Sequence, residues 1–214
     1  MINALFAPQT PNAVLALANP FQSTDEGIAT WFHQHLTPAF VSVLDALTEF
    51  GSAEWIGIVL SALVLFFAWK RWWPSLITVI IAVPGGMLLN EWLKMVVHRH
   101  RPFIDSPFAD WSGYSFASGH TMGATLLYGQ LLLFLLPSLK RRHLRVLCIF
   151  SAVSVVLLVG FTRIALGAHF LTDVLAAIVF GISWLMLCLV LGNSVRRRTV
   201  AAAVPVADCT ELER

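Results

Sequence analysis

In the stretch TRIALGAHFLTD, residues 162–173, His169 and Asp173 stand four residues apart. On a continuous helix that spacing puts them on one face, so the carboxylate can hold one ring nitrogen while the other attacks phosphorus. A second histidine, His120, closes the stretch ASGH at residues 117–120. Imidazole titrates near neutral pH, which suits His120 to protonate a leaving oxygen. Three cations accompany them: Lys94, Arg101 just ahead of Pro102, and Arg163. The arginines offer planar donor forks that match phosphate oxygens, and the lysine adds a compact point charge. Ser118 and Gly119 directly precede an apolar run, where a serine can cap a helix whose first N–H groups point at an anion. Fixed donors of this kind stabilise charge on a transferring phosphoryl group. The chemistry expected is phosphoryl transfer through a phospho-histidine at His169, later hydrolysed by water.

The elements that must position these residues follow from composition. The chain is 57% hydrophobic and 12% charged over 214 residues, with a mean hydropathy of +0.76, which excludes an ordinary soluble domain. A formal net charge of +2 is too small for a nucleic-acid partner. Apolar runs at 55–69, 74–97, 121–137, 145–165 and 170–192 reach or approach the roughly 20 residues that cross a bilayer core. Helices satisfy their own backbone groups there, so the fold class is all-α: a polytopic transmembrane helical bundle of five to six spans. The segment 27–51 leaves the sixth open. Its amphipathic pattern is interrupted by His33, His35, Pro38, Asp45 and Glu49, so it either crosses or lies in the interface.

The expected organisation is a lead-in and amphipathic or crossing helix over 1–52, a transmembrane core over 53–193 and a cytoplasmic tail over 194–214. The first 21 residues hold no Lys or Arg, unlike the basic start of a signal peptide, and the final stretch has too little apolar surface to pack. Cys148, Cys188 and Cys209 form neither a disulfide framework nor a metal-ligand spacing. Neither internal repeats nor low-complexity segments are visible.

Counting spans alternately, Lys70 and Arg71, then Lys140, Arg141, Arg142 and Arg145, then Arg196, Arg197 and Arg198 fall on one side. The positive-inside rule makes that side cytoplasmic. The loop 98–120 then lies on the opposite side, carrying His98, Arg99, His100 and Arg101 against the usual bias. That cluster therefore reads as one wall of a site and not as a membrane anchor. The expected location is the inner (plasma) membrane, multi-pass, with the site facing the periplasm or exterior and the C-terminus in the cytoplasm.

Taken jointly, Lys94, six residues, Arg101-Pro102; Ser118-Gly119-His120; and Arg163, five residues, His169, three residues, Asp173 make a three-part pattern that resembles the signature of the type-2 phosphatidic acid phosphatases, a family that groups with the vanadium-dependent haloperoxidases. The resemblance covers roughly residues 50–192. It implies His169 as nucleophile, Asp173 as its partner, His120 as acid, and Lys94, Arg101, Ser118, Gly119 and Arg163 as phosphate ligands. It also implies no metal or cofactor and a helical bundle with its site at the membrane surface. Two positions depart from the family pattern: Ala117 stands where proline is usual and Thr162 where serine is usual. Thr162 keeps a hydroxyl, and Ala117 removes no catalytic group.

Other features have structural readings. A buried Arg163 could simply pair with Asp173, although ionisable groups inside spans default to function. Pro84-Gly85-Gly86 could break its span as transporters do; close helix packing is the favoured account. Glu91, three residues before Lys94, can neutralise it. Trp72 and Trp73 beside Lys70 and Arg71 read as interfacial anchors. His98 and His100 match no position of the pattern.

The expected activity is hydrolysis of a lipid phosphate or diphosphate, with undecaprenyl diphosphate as leading substrate and phosphatidate, phosphatidylglycerophosphate and lipid A phosphates behind it. The partners are a membrane lipid and the bilayer; oligomeric state has no signature in the sequence. A lipid phosphotransferase using the same histidine, and a non-catalytic anion-binding or transport protein, are the alternatives.

Overall fold

The computed structural model describes residues 20–102 and 113–203, with side chains through residue 194. The early lead-in, part of the loop after Pro102, and the end of the tail with Cys209 lie outside the described residues. Among the described residues seven α-helices follow in order: α1 (Gln22–His35), α2 (Pro38–Thr48), α3 (Ala53–Trp69), α4 (Trp73–Val97), α5 (Gly119–Leu135), α6 (Arg142–Ala165) and α7 (Leu171–Ala203). Side chains cap α2, α3 and α5. Thr37 and Ser52 accept from the main-chain N–H groups of Phe40 and Trp55, and Pro38 opens α2 where its missing N–H costs nothing.

Among the described residues five helical stretches are long and apolar enough to cross a membrane: Pro38–Trp69, Trp73–Val97, Gly119–Ser138, Arg142–Ala165 and Leu171–Ser194. The ambiguous segment 27–51 therefore adds no sixth span. It divides at Leu36 and Thr37, and its second half runs through a short 3-10 turn at Glu49–Gly51 into the first span. The first span is correspondingly longer than the run 55–69 indicates.

Helix α5 is the most buried of the five, at 44% of its span, and α6 the least, at 11%. The faces of α6 explain the contrast. Val146, Leu147, Phe150, Val153, Leu157 and Phe161 are exposed on the three-and-four spacing of one helical face, where lipid is the solvent. Apolar lipid gives helices little reason to associate, so close approach of small residues has to hold them. A Cβ on Gly86 would stand 2.5 Å from Leu126 Cδ1, and one on Gly181 2.9 Å from Thr125 Cγ2. Helix α4 continues unbroken through Pro84, and Trp184 of α7 donates its indole N–H to the Ala82 carbonyl at 3.0 Å. The Pro-Gly-Gly stretch thus serves packing, not a broken-helix ion site.

On α1, the inward residues Asp25, Ala29 and Phe32 follow helical spacing; Phe32 and Leu36, just past the helix end, pack with Val41, Leu44, Ala165 and Leu166. That cluster seats α1 and α2 on the end of α6. The basic residues Lys70 and Arg71, in the α3–α4 connection, and the group Lys140–Arg145, in the α5–α6 connection and the first turn of α6, sit at the other end of the bundle. Trp69, Trp72 and Trp73 are exposed beside them, with the Lys70 ammonium 4.5 Å from the Trp69 ring centre.

Candidate active site

The end of α4, the starts of α5 and α7 and the end of α6 meet at one end of the bundle, and every candidate residue lies there. Helix α4 stops at Val97 because His98 adopts a left-handed conformation, φ 51°, and its N–H closes on the Lys94 carbonyl at 3.0 Å. Lys94 and Arg101 are therefore not on one continuing helix. Lys94 remains in the last turn of α4, and its ammonium pairs with Glu91 at 2.7 Å. Arg101 lies in the loop, donating to the carbonyls of Gly113 and Ala168, both at 3.1 Å.

Ser118 is the N-cap of α5, as its sequence setting indicates. Its hydroxyl accepts from the Thr121 hydroxyl at 3.0 Å, and its own main-chain N–H reaches the Asp173 carbonyl at 3.3 Å. A Cβ on Gly119 would lie 3.5 Å from Asn90 Oδ1 and 3.6 Å from Lys94 Nζ, so the missing side chain leaves the α5 N-terminus open toward the lysine. Lys94, Arg101, Arg163 and His169 all lie within electrostatic reach of His120.

The segment between α6 and α7 is a tight turn. Gly167, at φ +72°, takes the left-handed conformation that a side chain would strain. The N–H groups of Ala168 and His169 then fold back onto the Arg163 carbonyl at 3.1 and 3.2 Å. Arg163 is 2% exposed, and its Nη1 donates to the Thr48 hydroxyl of α2 at 3.3 Å.

His169 and Asp173 are neighbours, but not as two residues of one helix. Helix α7 begins at Leu171, so His169 lies in the preceding turn. Its Nδ1 sits 2.7 Å from the main-chain oxygen of Ser115 and 3.8 Å from Asp173 Oδ2. The carbonyl, not the carboxylate, holds the ring. Asp173 instead reaches back to the Phe170 N–H at 3.0 Å, the reciprocal arm of a capping box, and accepts from the Ser115 hydroxyl. Its ion-pair partner is Arg99, at 2.6 Å, not Arg163, the pairing that the purely structural alternative offered.

Burial is the main influence on His169. It pulls the imidazole from 6.5 down to about 4, with Asp173 opposing and Arg163 and Arg101 adding to the fall. The ring is consequently neutral at physiological pH and keeps a lone pair. Among the described residues, no three His, Cys, Asp or Glu side chains converge in a group that could hold a metal ion.

Three participants, Ser115, Asn90 and Asp25, escaped the sequence reading, and a fourth, Arg99, stood in the basic wall at residues 98–101 without an assigned role. Ser115 contacts both His169 and Asp173, and Asn90 donates to the Ala117 carbonyl at 3.1 Å from a fully buried position one turn before Lys94. Asn90 had a legible signal, an amide in the middle of an apolar span. Arg99 and Asp25 pair at 2.8 Å; nothing local marks the pairing, because the two are 74 residues apart. His98 packs edge-on against Tyr114 at 4.4 Å, and His100 is exposed.

The chain is 33% identical over 168 residues to the phosphatidylglycerophosphatase B of Bacillus subtilis, covering 77% of this chain and 81% of that protein. It is 28% identical over 155 residues to the lipid A 4'-phosphatase of Porphyromonas gingivalis, covering 65% of this chain and 62% of that one. The crystal structure of a transmembrane PAP2-type phosphatidylglycerolphosphate phosphatase from Bacillus subtilis superimposes with a TM-score of 0.74 at 27% identity, over 83% of this chain and 89% of that one. That of Aquifex aeolicus LpxE, at 21% identity and a TM-score of 0.58 over 78% and 94%, shares the fold. Fold and relatives together define a membrane lipid phosphatase. The family model of the PAP2 superfamily matches residues 73–197, and the chain belongs to that superfamily.

Proposed function

We propose that the protein hydrolyses a lipid phosphomonoester through a phospho-histidine at His169, with phosphatidylglycerophosphate as substrate. The observation that carries the mechanism is the contact of His169 Nδ1 with the Ser115 carbonyl at 2.7 Å. A carbonyl oxygen can only accept, so Nδ1 holds the proton and Nε2 keeps the lone pair. Nε2 attacks phosphorus as the bond to the lipid oxygen breaks, and His120 gives that oxygen its proton. Lys94, Arg101, Arg163 and the α5 N-terminus at Ser118 and Gly119 bind the phosphoryl oxygens and balance their charge. As the ring turns cationic on phosphorylation, Asp173 at 3.8 Å supplies a counter-charge. Water, with His120 now acting as base, then releases phosphate and restores His169.

Phosphatidylglycerophosphate is ranked ahead of undecaprenyl diphosphate, phosphatidate and lipid A phosphates, and the 33% identity to a phosphatidylglycerophosphatase B over 77% of the chain supports that order. The site opens at the end of the bundle opposite Lys70, Arg71 and the Lys140–Arg145 group. By the positive-inside rule it faces the periplasm or exterior, with the C-terminus in the cytoplasm. The lipid tail can then stay in the bilayer while its headgroup enters the cation cluster.

The test is phosphate release by the purified protein in detergent from a panel of these four lipids, with His169→Ala as control. Phosphate release from phosphatidylglycerophosphate that vanishes in the variant, with an alkali-stable, acid-labile phosphoprotein trapped in the wild type, supports the proposal. Retained turnover in His169→Ala defeats the mechanism. Transfer of label to a lipid acceptor without free phosphate would make the protein a phosphotransferase.

A further inference from the structure

Asp173 is 0% exposed, and a buried carboxylate requires donors and a counter-charge to remain where it is. Arg99 supplies the charge, with Nη1 2.6 Å from Asp173 Oδ1. The same Nη1 donates to the Thr172 hydroxyl at 2.7 Å, while Nη2 donates to Asp25 Oδ2 at 2.8 Å. The guanidinium carbon also lies 4.1 Å from the centre of the Phe170 ring. Two carboxylates and a ring face thus fix one planar group, a geometry open to arginine and closed to the shorter reach of a point-like ammonium.

Asp25 belongs to α1 and is 1% exposed. Its Oδ1 accepts from the main-chain N–H of Thr172 at 3.1 Å. Both carboxylates therefore stand at the start of α7, where free N–H groups and the helix dipole favour negative charge, and Arg99 separates them. The backbone of Arg99 contributes as well: its carbonyl accepts from the Ser115 N–H at 2.7 Å. Ser115 is the residue whose carbonyl holds His169. Arg99 consequently touches both groups that flank the nucleophile's ring.

We infer that Arg99 and Asp25 are positioning residues for phosphoryl transfer, Asp25 fixing Arg99 and Arg99 fixing Asp173 beside His169. The inference rests on His169 being the nucleophile. It makes α1, which precedes the family-matched residues 73–197, part of the catalytic apparatus. It gives Arg99 a role other than phosphate binding, because both of its terminal nitrogens are committed to carboxylates.

The experiment is steady-state kinetics of the full chain in detergent on phosphatidylglycerophosphate, for Arg99→Gln, Arg99→Lys, Asp25→Asn and the Asp25→Asn/Arg99→Gln double variant. Loss of orientation lowers kcat and leaves binding alone, so Arg99→Gln should lose at least about tenfold in kcat with KM within about threefold. Arg99→Lys, able to meet one carboxylate, should recover part of that loss. Asp25→Asn should lose about threefold, and the double variant should lose clearly less than the product of the two single losses, because Asp25 acts on Asp173 through Arg99. A raised KM with unchanged kcat, an unchanged pair of constants, or an additive double variant each overturns the inference. If Arg99→Gln does not fold, Asp25→Asn decides alone: it keeps the side chain's size, and an unchanged kcat overturns the inference. Turnover retained by His169→Ala in the same assay would instead overturn the reading of the nucleophile on which it rests.

Discussion

Gly51, in the 3-10 turn before α3, lies so close to the backbone of His120 that a Cβ would stand 2.8 Å from the His120 oxygen and 2.6 Å from Val159 Cγ1. The first span is thereby pressed against the start of α5, and the setting of His120 depends on a residue remote in sequence.

Two glycine substitutions should therefore fail differently. Gly51→Ala forces a main-chain shift and should cost about 1–3 kcal/mol, seen as a lower unfolding midpoint in detergent together with lost activity. At Gly119 the added methyl meets Asn90 Oδ1 and Lys94 Nζ at ordinary contact distances of 3.5 and 3.6 Å, so the fold should survive. The methyl occupies the space where a phosphate would approach, and Gly119→Ala should lower kcat/KM by about tenfold with an unchanged midpoint.

Ser115→Ala separates the two contacts made by that residue. The main-chain carbonyl still holds His169, while the buried Asp173 loses a hydroxyl donor. Hydrogen bonds to charged groups contribute about 1.5–3 kcal/mol, so the variant should unfold at lower temperature yet keep measurable turnover. Complete inactivity of a folded Ser115→Ala protein would show that the hydroxyl, not the carbonyl, sets the ring.

The His169 imidazole, lowered to about 4 by burial, ties stability to pH with a definite sign. Between 6.5 and about 4 the unfolded chain takes up a proton there and the folded chain does not. Stability is full above 6.5 and falls as the pH drops, by on the order of 3 kcal/mol at pH 4. Unfolding midpoints measured from pH 8 to 4 should decline less steeply for His169→Gln than for wild type. The acid limb of kcat/KM that belongs to the nucleophile should likewise lie near pH 4, well below that of a solvent-exposed histidine.

Phosphate charge is met by Lys94, Arg101 and Arg163 in the proposed scheme. Phosphate release should accordingly continue in millimolar EDTA, measured against an untreated sample. A loss restored by added divalent cation would assign part of that work to a metal.

Much of the site was legible because its chemistry is carried by residue types that an apolar span tolerates poorly. Arg163, Asp173 and the Ser118-Gly119-His120 helix start stand out for that reason, and α5 begins where the serine cap indicates. The helical continuity assumed around them was less readable. His98 in the left-handed conformation ends α4, and Gly167 turns the chain ahead of α7; both are decisions of a single residue's backbone that spacing alone does not reveal.

By itself, the sequence determined that this is a helical membrane protein, because runs of apolar residues can satisfy their backbone in lipid only as helices. It also singled out Lys94, Arg101, Arg163, His120 and His169 as candidates, because ionisable groups in and beside such spans are costly without a function. Tertiary structure alone decided who holds whom: Ser115 and not Asp173 contacts the His169 nitrogen, Arg99 and not Arg163 pairs with Asp173, and Asp25 of α1 completes the group. The reason is physical. A buried charge takes the nearest donor or counter-ion that geometry allows, and what is nearest is set by how the helices pack, not by spacing along the chain.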